Sequence, residues 1–231
     1  MLPKQQYPFF TAVIPSTKQK IHFRGFTVRE EKQLLLAQES EDIDTITEAI
    51  NAILEGCIKE DISIDSLASF DLEYLLVQIR AKSVGEMVTL KLPCELNEKH
   101  QPTLVPIDLT KIEVQYHKDH QLNILLYDDV GVTMKYPTLG ELAKLETVSG
   151  IEAIALCMEN IYTNDEVFVI SEQTPEEITE FIEGLTKDQI TKIENLFFKT
   201  MPTFQYEFTY TCKECGHTHT RIIRGLESFF V

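Results

Sequence analysis

At 231 residues and 43% hydrophobic content the chain is one large domain or two small ones, with enough apolar surface to bury a core without disulfide staples. Its net charge of -16, from 37 acidic and 21 basic residues, repels a phosphate backbone, which argues against nucleic-acid binding and for protein partners. No apolar run approaches the roughly 20 residues that span a bilayer, and Met1-Leu2-Pro3-Lys4-Gln5-Gln6 lacks a signal-peptide core, so the expectation is a cytosolic protein with no membrane contact, whose five cysteines are reduced thiols or metal ligands.

Tyr7 to Ile14, bracketed by Pro8 and Pro15, predicts an extended edge strand. Pro15-Ser16-Thr17-Lys18 reads as a turn, and the alternation from Lys20 to Phe26 completes a hairpin. Thr27-Val28-Arg29-Glu30 has the spacing of a capping box, so a helix follows through Ala37. After an acidic, solvent-facing stretch from Glu39 to Asp44, the residues Ile46, Ala49, Ile50, Ile53, Leu54 and Cys57 predict a second amphipathic helix, with Cys57 acting as a small apolar side chain. A central helix begins at Phe70: Leu72, Leu75, Leu76 and Ile79 share one face, Glu73 and Arg80 lie on another, and Gly85 supplies the stop.

The period then changes from 3.6 to 2, giving a strand over 84–93 and a polar loop from Cys94 to Pro106. Residues 107–116 and 122–126 alternate around a turn at His117-Lys118-Asp119-His120, and 127–134 reads as a turn and a further strand closed by Pro137. Capping boxes at Thr138 and Ser149 open two helices, the second expected to run to Ile161. Thr174-Pro175-Glu176-Glu177 opens another that Gly184 stops, and Thr186-Lys187-Asp188-Gln189 opens the last, with Ile190, Ile193, Leu196 and Phe197 inward. A terminal hairpin, 204–211 with 218–223, surrounds a pair of cysteines. The fold class is therefore α+β, capped amphipathic helices on antiparallel hairpins, with a zinc-ribbon-like hairpin at the C-terminus. The expected domains are an α+β region over 1–137, a helical region over 138–203, and the cysteine hairpin over 204–231 packing back on the strand at 84–94.

Cys212-Lys213-Glu214-Cys215-Gly216-His217 is the sharpest chemical signal, because two thiolates two residues apart can grip one Zn2+ from a tight turn between strands. A structural tetrahedral site needs two more ligands, and Cys94 with His100 would complete a Cys₃His set if the strand at 84–93 pairs with the terminal hairpin. His217 and His219 are fallback ligands on the same strand face. The alternative is a reduced thiol pair in a β-turn; a thioredoxin-type redox motif would open a helix rather than a strand. No phosphate loop, HExxH or GxSxG is present, the remaining histidines read as solvated, and the Asp128-Asp129 pair reads as a solvated turn, so the sequence points to a protein that is not an enzyme.

Three stretches together resemble the T4-type bacteriophage baseplate protein family: Tyr7-Pro8-Phe9-Phe10 with Pro15-Ser16; Phe23-Arg24-Gly25-Phe26-Thr27-Val28-Arg29-Glu30-Glu31-Lys32; and Phe70-Asp71-Leu72-Glu73-Tyr74 with Arg80-Ala81-Lys82-Ser83-Val84-Gly85-Glu86. The resemblance is best over the N-terminal half and extends through the cysteine hairpin to Gly225-Leu226-Glu227-Ser228-Phe229-Phe230. It implies no catalytic residues. It implies a role in building the baseplate hub through contacts with hub or tail proteins, the tape measure protein among the candidates, in the host cytoplasm during assembly and in the tail of the virion if the protein is retained. The rivals are an assembly chaperone absent from the finished particle, and a zinc-ribbon adaptor, whose nucleic-acid contact would need more basic residues than Arg221 and Arg224. The terminal Phe229-Phe230-Val231 is a candidate partner contact, with docking onto its own core as the alternative.

Overall fold

A helix whose apolar residues exceed a single stripe must be covered on several sides, and the first compact unit is built on one. The computed structural model describes residues 5–40, 42–145 and 147–224; the Met1 to Lys4 start and the Gly225 to Val231 tail considered above lie outside them. The first unit comprises Met1–Gln115 and Thr203–Val231, and the second Tyr116–Pro202. Residues 116–137, grouped with the N-terminal region in the sequence reading, thus fall with the helices that follow them.

In the first unit, strands β1 (Phe10–Val13) and β2 (Lys20–Phe23) form the expected antiparallel hairpin, followed by helices α1 (Val28–Ser40), α2 (Ile43–Cys57) and α3 (Ser69–Ser83). Phe70, Leu72, Leu75, Leu76, Val77 and Ile79 of α3 are all buried, which is broader than the one-face pattern expected. Its two ends hold the first hairpin. The Ser16 amide and hydroxyl both donate to the buried carboxyl of Asp71, the amide at 2.8 Å, and the Phe26 amide donates to Ser83 Oγ at 2.8 Å. Glu30 accepts from the Thr27 amide and hydroxyl, at 2.6 and 2.9 Å, and also accepts two bonds from Arg24, at 2.7 and 3.0 Å, while Arg24 donates to the Gly56 carbonyl at the end of α2. These bonds from Arg24, with those of Thr27, overcome burial and hold the Glu30 carboxyl down at about 2.

The strand expected at 84–93 is β3 (Met87–Leu92), and its partner is β4 (Thr103–Asp108). This corrects the polar loop expected as far as Pro106. Pro106 obscures the strand in sequence, yet in a two-stranded sheet both strands are edges and a missing N–H is tolerated. The hairpin expected between 107–116 and 122–126 does not form either. Instead β5 (Val114–Gln115) pairs with β10 (Thr203–Thr211), which pairs in turn with β11 (Thr218–Arg224). Tyr74 of α3 meets Phe204 of β10 edge to face at 6.4 Å, tying the returning chain to the central helix.

The second unit is a four-stranded antiparallel sheet in the order β6 (Asn123–Tyr127), β7 (Val130–Met134), β8 (Met158–Tyr162), β9 (Val167–Val169), with helices α4 (Leu139–Leu145), α5 (Gly150–Cys157), α6 (Pro175–Glu183) and α7 (Lys187–Leu196). Ile124, Val132, Met134, Ile154, Cys157, Ile182, Ile193 and Phe197 form its buried core. The capping boxes at Ser149, Thr174 and Thr186 are complete, and Thr138 exchanges bonds with Glu141 in the same way. The Ser149 helix ends at Cys157 and not at Ile161, because residues 158–162 pair with β7. Gly131 permits that pairing: a Cβ there would lie 2.3 Å from the Tyr162 ring.

Two carboxyls on this framework titrate in opposite directions, which gives a test of the first unit. Glu30, held down at about 2, contributes stability that is present above its ordinary value of 4.5 and lost as pH falls toward 2. Glu73 is pushed up to about 7 by burial alone, so the stability tied to its proton is present below 4.5 and lost as pH rises through 7. Glu30→Gln should cost about 2 kcal/mol near neutral pH, the deficit shrinking in acid, whereas Glu73→Gln should be about 2 kcal/mol more stable than wild type near pH 8 and level with it near pH 4. Urea unfolding across this pH range reads both; parallel profiles for the three proteins would refute the assignment.

Candidate metal centre

Two loops from opposite ends of the sequence meet at the end of β3. The first leaves β3 through Pro93 and Cys94 and turns at Asn97, whose carbonyl accepts from the His100 amide at 3.1 Å and whose side-chain oxygen accepts from the Lys99 amide at 3.1 Å. The Asn97 amide nitrogen lies 3.1 Å from His100 Nε2 and leaves Nδ1 turned toward the sulfurs. The second loop connects β10 to β11. Its Cys212 amide donates to the His217 carbonyl and its Gly216 amide to the Cys212 carbonyl, each at 2.9 Å, a closure that requires Gly216 at φ 71. The Gln101 amide donates to Glu214 Oε1 at 2.7 Å and joins the loops.

The result places Cys94 Sγ 3.8 Å from Cys215 Sγ and Cys212 Sγ 3.5 Å from His100 Nδ1. One donor atom from each of Cys94, His100, Cys212 and Cys215 lies within 4.8 Å of every other, so the cluster could hold a metal ion. These are the four residues named from sequence. The route is different from the one expected, because β3 pairs with β4 and not with the terminal hairpin. What brings Cys94 to the site is one hydrogen bond and one ion pair at its two neighbours: the Tyr210 hydroxyl donates to the Pro93 carbonyl at 2.6 Å, and Arg221 Nε lies 3.0 Å from Glu95 Oε1.

Two of the three thiols are drawn toward the thiolate form. Burial alone would raise Cys94, but hydrogen bonds from His100, from the Leu96 and Asn97 amides and from His219 bring it down to about 6. The Cys215 and Glu214 amides lower Cys212. The His217 amide favours the Cys215 thiolate, yet burial and its two cysteine neighbours leave that thiol raised. Hydrogen bonding to Cys94, ahead of burial, raises His100.

The fallback ligands stand outside the four. His217 is exposed in the loop, whereas His219 is buried. The expectation of solvated histidines also fails at His120, which is half-buried between Tyr136 Oη and Thr200 Oγ1, 3.0 Å from each. Asp128 and Asp129 occupy the turn between β6 and β7 and join no ligand cluster among the described residues. A groove of about 860 Å³ in the second unit is lined mainly by Ile151, Ile154, Ile182, Leu185, Ile190 and Phe198, a surface suited to apolar contact. No described helix is long and apolar enough to cross a membrane.

The family model described as T4 bacteriophage base plate protein matches residues 7–231, a span that includes all four residues of the cluster. Among curated proteins, the baseplate hub assembly protein gp26 of Enterobacteria phage T4 is 25% identical over 213 residues, covering 91% of this chain and 92% of that relative. No solved structure matches the chain.

The five cysteines divide by environment. Burial pushes both Cys57 and Cys157 up to about 12, while Cys94, Cys212 and Cys215 share the loop cluster. Iodoacetamide near neutral pH, applied to chelator-treated protein, should modify the cluster thiols and leave Cys57 and Cys157 unmodified. Peptide mass spectrometry checks this; comparable labelling of all five would mean that the two cores do not exclude the reagent.

Proposed function

The chain belongs to the T4 bacteriophage base plate protein family, and on that premise we propose that it is a non-enzymatic structural or assembly protein acting in formation of the baseplate hub of a contractile tail. The observation that carries this reading is the similarity to a hub assembly protein across nine-tenths of both chains. It acts through other hub or tail proteins in the infected host. The strongly acidic composition favours protein partners over nucleic acid. The adaptor alternative is weakened, since Arg221, one of the two arginines of the hairpin, is paired with the Glu95 carboxylate.

Within that role the Cys94, His100, Cys212 and Cys215 cluster holds a structural Zn2+, and the β10–β11 hairpin is zinc-ribbon-like. Tetrahedral zinc with ordinary bond lengths sets its sulfurs about 3.8 Å apart and sulfur from imidazole nitrogen about 3.6 Å apart. The corresponding separations here are 3.8 and 3.5 Å. Four protein ligands close the site to water, which suits a structural ion and not a catalytic one. Bound there, the ion cross-links positions 112 and 121 residues apart, a closure whose loop-entropy value is about 4 to 5 kcal/mol by analogy with a disulfide.

Two experiments test the two parts. Affinity-tagged protein isolated late in infection should carry tail proteins, identified by mass spectrometry beside a digest of purified virions. Presence in virions marks a hub subunit, absence with the same catch marks a transient assembly chaperone, and a catch without tail proteins overturns the reading. Separately, replacing Cys212 and Cys215 with serine should release about one equivalent of zinc and destabilise the first unit by about 3 to 5 kcal/mol. Unchanged metal content and melting would refute the zinc site.

A further inference from the structure

His219 lies in β11 opposite Tyr210 of β10, and the two rings stack at 5.1 Å with 28° between their planes. This cross-strand pair lies against both neighbours of Cys94. Tyr210 holds the Pro93 carbonyl through its hydroxyl at 2.6 Å, and His219 Nδ1 lies 3.5 Å from Glu95 Oε2. The imidazole is therefore fixed between residues 93 and 95, at the thiol that separates them. It is only 3% exposed, and its second nitrogen, Nε2, is buried with no hydrogen-bond partner of ordinary geometry in the protein. A buried ring nitrogen without a partner is costly and needs a use.

We propose that His219 is a positioning residue of the metal centre: stacked on Tyr210 and set beside Glu95, it presents Nε2–H to the Cys94 sulfur and fixes that thiolate for the ion. A metal-bound sulfur that accepts such a bond is held in orientation and is less nucleophilic, the outer-shell arrangement by which proteins tune metal ligands. The influence of His219 in drawing down the Cys94 thiol agrees with this placement. His219 takes no coordination position here; the four ligands already close the site, and the fallback role anticipated for it becomes one of support. This inference rests on the zinc reading.

The test compares wild type with His219→Phe, which keeps a ring against Tyr210 and removes the donor, and His219→Gln, whose amide can restore one. Zinc content is measured first, then zinc affinity by competition with a chromogenic chelator, then the rate of iodoacetamide modification at Cys94 in the zinc-loaded protein. We expect His219→Phe to bind zinc about 10- to 100-fold more weakly and to alkylate faster at Cys94, with His219→Gln closer to wild type on both measures. A wild type that binds no zinc overturns the metal reading and this inference with it. A wild type that binds zinc while His219→Phe matches it in affinity and alkylation rate overturns this inference alone. Equal impairment of the two variants, with loss of folded circular dichroism, would assign His219 to hairpin packing and would equally overturn it.

Discussion

Helix α3 buries Phe70, Leu72, Leu75, Leu76, Val77 and Ile79 around more than one face, so its ends have to be anchored by protein groups rather than by water. Asp71 near one end takes the amide and hydroxyl of Ser16, and Ser83 at the other takes the amide of Phe26. A single helix thereby fixes both limits of the first hairpin and the entry into α1. The entry matters in turn because Arg24, just before it, reaches Glu30 in α1 and the carbonyl of Gly56 in α2. One guanidinium aligns three elements, and its partner carboxylate is the same group that caps the helix. Losing Arg24 would leave both functions of Glu30 weakened.

The β part of the first unit has the opposite problem. The pair β3–β4 and the set β11–β10–β5 are small sheets, and hairpins of this size are marginal in water without something to pack on. Tyr74 and Phe204 supply one contact with α3. At the far end of β3, the proposed ion supplies the other, joining the tip of one sheet to the tip of the next where no continuous hydrogen-bond ladder runs between them. Tyr210, His219 and Arg221 reinforce that junction through Pro93 and Glu95. Hydrogen bond, aromatic stack and ion pair converge on a three-residue segment, so its geometry is set before any ion arrives.

Features that depend on neighbours in sequence were legible. The capping boxes at Ser149, Thr174 and Thr186 are local patterns with a local hydrogen-bond requirement, and they open helices where expected. Features decided by distant partners were not. The helical continuation to Ile161 gave way to β8 because Gly131 opens space for Tyr162 across the sheet. β4 was hidden behind Pro106, and α3 looked amphipathic because sequence spacing cannot show how many elements surround a helix. The four residues of the cluster were identifiable from donor type and spacing. His219 reads in sequence only as a histidine on the hairpin, because its burial and its approach to Glu95 depend on the cross-strand register, which no sequence spacing displays.

The order of the chain imposes a further consequence. The second unit, Tyr116–Pro202, is contiguous, whereas the first is completed only when residues from 203 onward return to it. Until then α3 lacks Phe204 at Tyr74, β5 lacks β10, and Cys94 with His100 lacks both partners for an ion. Contacts of such sequence separation form late because the intervening chain must close first. A metal bridge at this closure stabilises the completed unit without rewarding the incomplete one. Completion of the first unit therefore waits on the Cys212 and Cys215 turn, the last part of the chain to meet Cys94 and His100.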